Sequence, residues 1–326
     1  IFAAISGSGP ATVAAVGGSM IPAMIKDGYD KSYASSLSAA SGALGPIIPP
    51  SISFIIYGVI AGVSITELFI AGIVPGIIMA IVLMIFNYFA CKKYGFGKQH
   101  KNGDIEKTNL FKAFNEAKWS LLVPVIILGG IYSGIFTPTE AAVIACDYAL
   151  FISIFVYKEV KLRDLPNILK KTVLTSGTTL ILVACATAFG RLLTILQVPT
   201  TIASLILGVS SNKIIILLII NIFLFIVGMF METLAAIIIL APLLLEIVIP
   251  LGITPLHFGI IMVVNLVIGM CTPPVGVNLF VACRLGDIKL EEMFGWTYKM
   301  IGVLFLVVFA FTYIEPLATF LPNLLR

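Results

Sequence analysis

Four stretches of the sequence set hydroxyl side chains beside residues that break helices. Ser6 and Ser8 lie in "AISGSGPAT" (4–12), and Thr233 follows Glu232 in "GMFMETLAA" (228–236). "GALGPIIPPS" (42–51) and "GMCTPPVGVN" (269–278) each carry a double proline four residues after a glycine. Proline removes a backbone donor and clashes with the preceding turn, and glycine loosens the chain, so carbonyl oxygens come free at both double prolines. Hydroxyls and loose carbonyls together make a hard, dry oxygen cage, which suits Na⁺ better than a transition metal. The first such set is Ser6 and Ser8 with the carbonyls of Gly45, Ile48 and Pro50; the second is Thr233, Gly269, Thr272 and Pro274. For any single hydroxyl the ordinary alternative is a bond back to its own helix. It is the pairing of the two sets that singles these out.

Arg191, in "TAFGRLLTI", lies within an apolar stretch, where a guanidinium costs about 2.5–3.5 kcal/mol on insertion scales. It is either a fork for a substrate carboxylate, a partner for Glu232, or a side chain that snorkels outward. Glu232 can add charge to the cation site, carry a proton, or form a passive salt bridge. With Ser8 and Asn278 these two complete the candidate substrate contacts. Glu140, after Pro138, reads as a first-turn helix residue favoured by the dipole. "SGSGP" lacks the ending and context of a phosphate loop, and no HExxH, GxSxG or Walker sequence occurs, so energy has to come from an ion gradient. The five cysteines are scattered through apolar segments and read as packing residues, with no metal or disulfide framework.

The elements that position these residues belong to a membrane. Of 326 residues 60% are hydrophobic and 11% charged, with mean hydropathy +1.11. Apolar runs lie at roughly 69–91, 119–136, 141–157, 172–189, 213–231, 234–249, 256–268 and 296–314. Several reach the ~20 residues that span a ~30 Å hydrocarbon core, while others are too short to cross alone and suggest re-entrant or broken helices. The chain opens at Ile1 within an apolar stretch and reads as one missing its beginning, so the crossings counted are a lower bound. The expected fold is all-α and polytopic.

Shifting the chain by 224 residues superposes Pro49-Pro50 on Pro273-Pro274, Gly45 on Gly269, Gly28 on Gly252, Gly62 on Gly286 and Glu67 on Glu291. The turn "KDGYDKS" falls on the uncharged "PLGITPL", and "GVSITE", which has no Lys or Arg, falls on the region of "RLGDIKLEE". Of the 20 basic residues, all but Arg191, Lys213 and Arg326 fall in segments that the positive-inside rule places in the cytoplasm. Corresponding loops therefore swap sides, which describes an inverted repeat. Paired broken helices in inverted repeats are secondary-transporter architecture, with re-entrant hairpin tips at 4–12 and 228–236 facing the two breaks. A pair of purely structural kinks is the plainer alternative. The segments 92–118 and 158–171 are too polar to span and read as cytoplasmic connectors with some interfacial helix.

With "SGSGPATVAAVG", "GALGPIIPPS", "GIFTPTEAA" followed by "YALF", "TAFGRLL" and "CTPPVGVNLFVA", the whole chain resembles the large membrane subunit of tripartite ATP-independent periplasmic (TRAP) transporters. The resemblance implies an elevator-type transporter of the bacterial inner membrane that takes up organic acids with Na⁺. It also implies two partners, a small four-helix membrane subunit and a soluble extracytoplasmic substrate-binding protein, and no nucleic acid. The family's ion sites fall on the Ser6/Ser8 tip with the 45–50 break and on the Glu232/Thr233 tip with the 269–274 break. Arg191 stands where many members have an aromatic residue, which resembles the sialic-acid branch more than the dicarboxylate branch.

The expected division is a first transport repeat (1–68), scaffold and connectors (69–171), a helix and outer connector bearing Arg191 (172–212), a second, inverted transport repeat (213–295) and a C-terminal scaffold helix (296–326). The competing readings are a stand-alone Na⁺/carboxylate carrier of the divalent-anion type, an intramembrane enzyme using Glu232 and Arg191, and a channel. No paired general acid and base supports the enzyme, and tips meeting at mid-membrane block a continuous pore.

Overall fold

A computed structural model describes residues 2–97, 110–198, 201 and 212–325, and among these the only regular structure is helical. Six helices among the described residues are long and apolar enough to cross a membrane. Much of their surface carries large apolar side chains, the arrangement that lipid rather than water favours. The protein is an all-α, polytopic membrane protein.

The chain forms two compact units, residues 1–102 with 189–326 and residues 103–188. In the first, α1 (Ala3–Ser6) and α2 (Gly9–Thr12) meet at a tip, and a π-helical turn (Val13–Gly17) joins α2 to α3 (Gly18–Lys26). A turn then leads into α4 (Lys31–Gly42), whose N-terminus is capped by Asp30 accepting from Tyr33 N at 2.9 Å. The helix stops at Gly42, a stretch of turns carries the chain through the first double proline, and the helix restarts as α5 (Ile52–Ala61), capped by Ser51 accepting from Phe54 N. A long helix, α6 (Ile65–Tyr94), follows.

The second unit holds α7 (Leu110–Tyr132) packed on α8 (Pro138–Phe151). Thr137 and Glu140 form a reciprocal capping box at the start of α8, the first-turn role expected of Glu140. Tyr148 donates to Trp119 O at 3.0 Å and Tyr157 to Glu116 O at 2.8 Å across this pair. Next comes α9 (Leu165–Ile195), which begins seven residues earlier than the expected apolar run because "LPNILKK" continues its first turns instead of forming a separate connector. Of the other expected connector, 92–118, residues 98–109 lie outside the described residues.

The first unit resumes with α10 (Lys213–Phe230), α11 (Thr233–Val248), α12 (Pro255–Gly269), α13 (Val277–Gly286), α14 (Leu290–Tyr313) and α15 (Glu315–Leu325). The second double proline separates α12 from α13, and both Pro49–Pro50 and Pro273–Pro274 peptide bonds are cis. At ~1.5 Å per residue, the helices flanking the breaks are too short to cross a ~30 Å hydrocarbon core.

Packing partners are exchanged between the two halves. The arm after the first tip lies on α13, and the arm after the second tip, α11, lies on α5. Likewise α4 lies on α14 while α12 lies on α6, and α6 packs on α14. Each of these pairs maps onto its counterpart under the 224-residue shift, as do the capped turns: Thr254 accepts from His257 N as Asp30 does from Tyr33 N. Every residue of α12 from His257 to Gly269 is buried, in keeping with a helix that is apolar on all sides. Within that core Asn221 Oδ1 accepts from Asn265 Nδ2 at 2.6 Å and from Thr312 Oγ1 at 3.1 Å, tying α10, α12 and α14 together. Helices α6 and α14 therefore share the compact unit of the two breaks.

Where α10 crosses α12 the backbones touch. A Cβ added to Gly269 would lie 2.6 Å from the Cα of Gly228, with main chain rather than a movable side chain in the way. Gly269→Ala should therefore destabilise the protein by about 1–3 kcal/mol, while Gly302→Ala, with open space at its Cβ, should not. Thermal unfolding in detergent, monitored by intrinsic fluorescence, checks the pair.

Candidate functional site

The first tip is a knot of oxygens. α1 ends at Gly7 with φ +59°, and Ser8 is extended as the N-cap of α2. That reversal brings Ser6 Oγ to 2.5 Å from Thr12 Oγ1, and both hydroxyls lie against Ser8 O, at 3.2 and 2.8 Å. The first break runs past this knot. A Cβ on Gly45 would lie 2.6 Å from both Ser8 O and Thr12 Oγ1, so only glycine admits the tip, and one on Gly7 would lie 2.8 Å from Pro50 O. Ser6, Ser8, Gly45 and Pro50 are thus together. The Ile48 side chain packs against Gly76 of α6, which leaves the expected role of its carbonyl untouched. Thr12 and Ser51, which donates to Pro46 O, were not singled out from sequence. The i, i+4 spacing of Ser8 and Thr12 within "SGSGPAT" was the available signal.

At the second tip the hydroxyls are more engaged. Glu232 caps α11, its carboxylate accepting from Leu234 N at 3.0 Å and Ala235 N at 3.3 Å. Thr233 Oγ1 donates to Met270 Sδ at 2.6 Å, and Thr272 Oγ1 bonds back to Ile268 O at 2.8 Å. Gly269 abuts Gly228, Gly276 N donates to Met229 O at 3.3 Å, and Pro274 is exposed.

A cavity of about 40 Å³ joins the two tips, room for a few waters or a bare ion. It is lined by Gly7–Pro10 of the first tip, Pro46, Ile52 and Ser53 of the first break, Glu232–Leu234 of the second tip, and Met270 of the second break. Among the expected substrate contacts, Ser8 and Glu232 line it. Asn278 does not: it is fully buried between Gly9 and Gly42, donating to Ala39 O at 3.4 Å and to Cys271 Sγ at 3.2 Å, with Oδ1 unpartnered. Arg191 is exposed on α9 and is not part of the lining. Among the described residues no group of three or more His, Cys, Asp or Glu is placed to hold a metal, and the groups that converge here are hydroxyl and carbonyl oxygens with one carboxylate.

Interrupted helices that close on one small cavity inside a polytopic all-α body are an arrangement found in membrane transport proteins. Residues 1–317 match the family described as "Tripartite ATP-independent periplasmic transporter, DctM component", and the chain belongs to that family. It is 49% identical over 322 residues to the isethionate TRAP transporter permease protein DctMQ of Oleidesulfovibrio alaskensis, covering 98% of this chain and 50% of that protein. It is 38% identical to the C4-dicarboxylate TRAP transporter large permease protein DctM of Rhodobacter capsulatus, across 100% of this chain and 76% of that one. It is 39% identical to the sialic acid TRAP transporter large permease protein SiaM of Vibrio cholerae, across 99% and 75%. The chain thus spans half the length of the first relative and about three quarters of the other two.

Thr12→Val keeps the side chain's volume but removes the hydroxyl linking Ser6 to Ser8, and should cost about 1–3 kcal/mol of stability. Thr12→Ser should restore most of it. Comparing the midpoints of thermal unfolding of the two variants with wild type tests whether the knot holds the tip.

Proposed function

We propose that this chain is the translocating subunit of a Na⁺-coupled importer of small organic acids in the bacterial inner membrane. It works beside a small four-helix membrane subunit and receives its substrate from a soluble extracytoplasmic binding protein. The observation that carries this reading is the single cavity at which both tips and both breaks meet.

Na⁺ is held at the first tip by Ser6, Thr12 and the carbonyls of Ser8, Gly45 and Pro50, and at the second by Thr233, Thr272 and the carbonyls of Gly269 and Pro274. Ile48, its side chain directed towards α6, contributes at most its carbonyl to the first set. Exchange of packing partners under the 224-residue shift supports reading the halves as inverted repeats, and their interlocking supports motion as one body. That body carries α6 and α14 with it, since both bury their faces against α4 and α12.

The relatives' names refer to isethionate, C4-dicarboxylates and sialic acid, all organic anions ending in a planar or tetrahedral oxyanion. The higher identity to the isethionate protein favours a small sulfonate or carboxylate; the near-equal values of 39% and 38% do not separate the sialic-acid and dicarboxylate branches. At about 40 Å³ the cavity is too small for any of these acids, so substrate entry requires the tips to part. Ser8 and Glu232 then face the substrate. Arg191, which has no ion-pair partner among the described residues, supplies the cation that meets its oxyanion.

The test is uptake of labelled isethionate into proteoliposomes holding the complete permease. Uptake should require an inward Na⁺ gradient and the binding protein, and Ser6→Ala should raise the half-saturating Na⁺ concentration about tenfold, the equivalent of one lost ligand. Uptake that proceeds equally in choline buffer would overturn the coupling, and uptake without the binding protein would favour a stand-alone carrier.

A further inference from the structure

Far from the two tips, one end of the first unit carries a built groove of different chemistry. Trp296, in the second turn of α14, is fixed from behind by edge-on contacts with Tyr33 and Tyr94, ring centroids 4.9 Å away in each case. Its open side belongs to a cavity of about 230 Å³ between α6 and α14, lined by Phe86, Phe89, Lys93, Tyr94, Trp296 and Lys299. Lys299 Nζ lies 4.2 Å from the Trp296 ring centroid, and Lys93 Nζ lies 5.5 Å from that of Tyr94. No carboxylate lines the cavity, and among the described residues neither ammonium has an ion-pair partner.

Beyond the residues that line the cavity, α6 exposes a row of apolar side chains. Ile81, Ile85, Phe89 and Lys93 follow one another at intervals of four, which places them on one helix face with three exposed apolar side chains leading to one cation. The apolar part of this row, Ile81 to Phe89, is about 12 Å long at 1.5 Å per residue, enough to carry the upper part of an extended fatty-acyl chain. Tyr94 and Trp296 stand where such a chain would meet its headgroup, as aromatic side chains do at a membrane–water boundary. Lys92 and Lys93 lie in the last turn of α6, at the end that the charge distribution assigns to the cytoplasm, and Lys299 lies in the third turn of α14.

We propose that this groove binds one anionic phospholipid of the cytoplasmic leaflet. Its phosphate sits between the ammonium groups of Lys93 and Lys299, and one acyl chain lies along the Ile81–Ile85–Phe89 row. Charge complementarity selects the occupant: two unpaired cations beside an apolar track match a lipid that joins a phosphate to a hydrocarbon chain. A protein surface would match the track alone. The inference is independent of Na⁺ coupling, because no residue of the groove touches the tips or the breaks.

The test uses the complete permease in nanodiscs of mixed phosphatidylglycerol and phosphatidylethanolamine, with retained lipid counted by native mass spectrometry. Wild type should retain phosphatidylglycerol in preference to phosphatidylethanolamine. Lys93→Gln/Lys299→Gln should weaken phosphatidylglycerol binding roughly 30-fold, the equivalent of about 2 kcal/mol for two basic residues, and leave phosphatidylethanolamine unchanged. Equal retention by the variant, or no preference between the two lipids, overturns the proposal. Displacement of the lipid by millimolar inorganic phosphate alone would assign the lysines to a free anion, and a photo-crosslinker at Phe89 that captures the small membrane subunit instead of lipid would assign the groove to that partner. Either result also overturns it.

Discussion

An unwound backbone inside a membrane must find its hydrogen bonds within the protein. Each orphaned peptide group in hydrocarbon costs several kcal/mol, so the stretches after Gly42 and Gly269 can exist only where other chain segments cover them. Coverage comes from close approach. Gly45 admits Ser8 and Thr12 of the first tip, and Gly269 admits the main chain of Gly228 before the second. A side chain at either glycine would push the tip out and expose the break. The cavity exists because these two approaches bring the tips to one place.

The same constraint explains the exchange of partners between the halves. A broken helix cannot bury its own gap, and each half uses the arm of the other: α11 against α5, and the π-helical turn with α13. Asn278 is one joint of this exchange. Its side chain fills the space left by Gly9 and Gly42 and bonds to Ala39 O, so a residue of the second half supports the tip and break of the first. The long helices α6 and α14 pack on one another and on this arrangement, and α12, buried from His257 to Gly269, lies in its core.

Much of this was legible in the sequence. The double prolines marked both interruptions, the 224-residue register paired them, and Asp30 and Thr254 occupy matching cap positions. Local chemistry dictates such features, and local chemistry is what a sequence displays. What escaped depends on contacts between distant segments. Thr12 lies one helical turn past Ser8, yet its meeting with Ser6 requires the reversal at Gly7. Met270 reads as an ordinary apolar residue until Thr233 bonds to its sulfur. The kinship of α6 and α14 with the breaks was hidden because their apolar periodicity says that they are buried or lipid-facing, without saying against what. Asn278 was grouped with substrate contacts for its polarity, but its surroundings make it a wedge.

The central claim, that the two tips and breaks hold a cation through their own oxygens, is tested most directly by hydrogen–deuterium exchange of the complete permease in Na⁺ and in choline, without substrate. Amides of 4–12, 42–51, 228–236 and 269–276 should exchange more slowly in Na⁺ than in choline, with the rest of the chain unaffected. Identical exchange of those four stretches in both salts would contradict it.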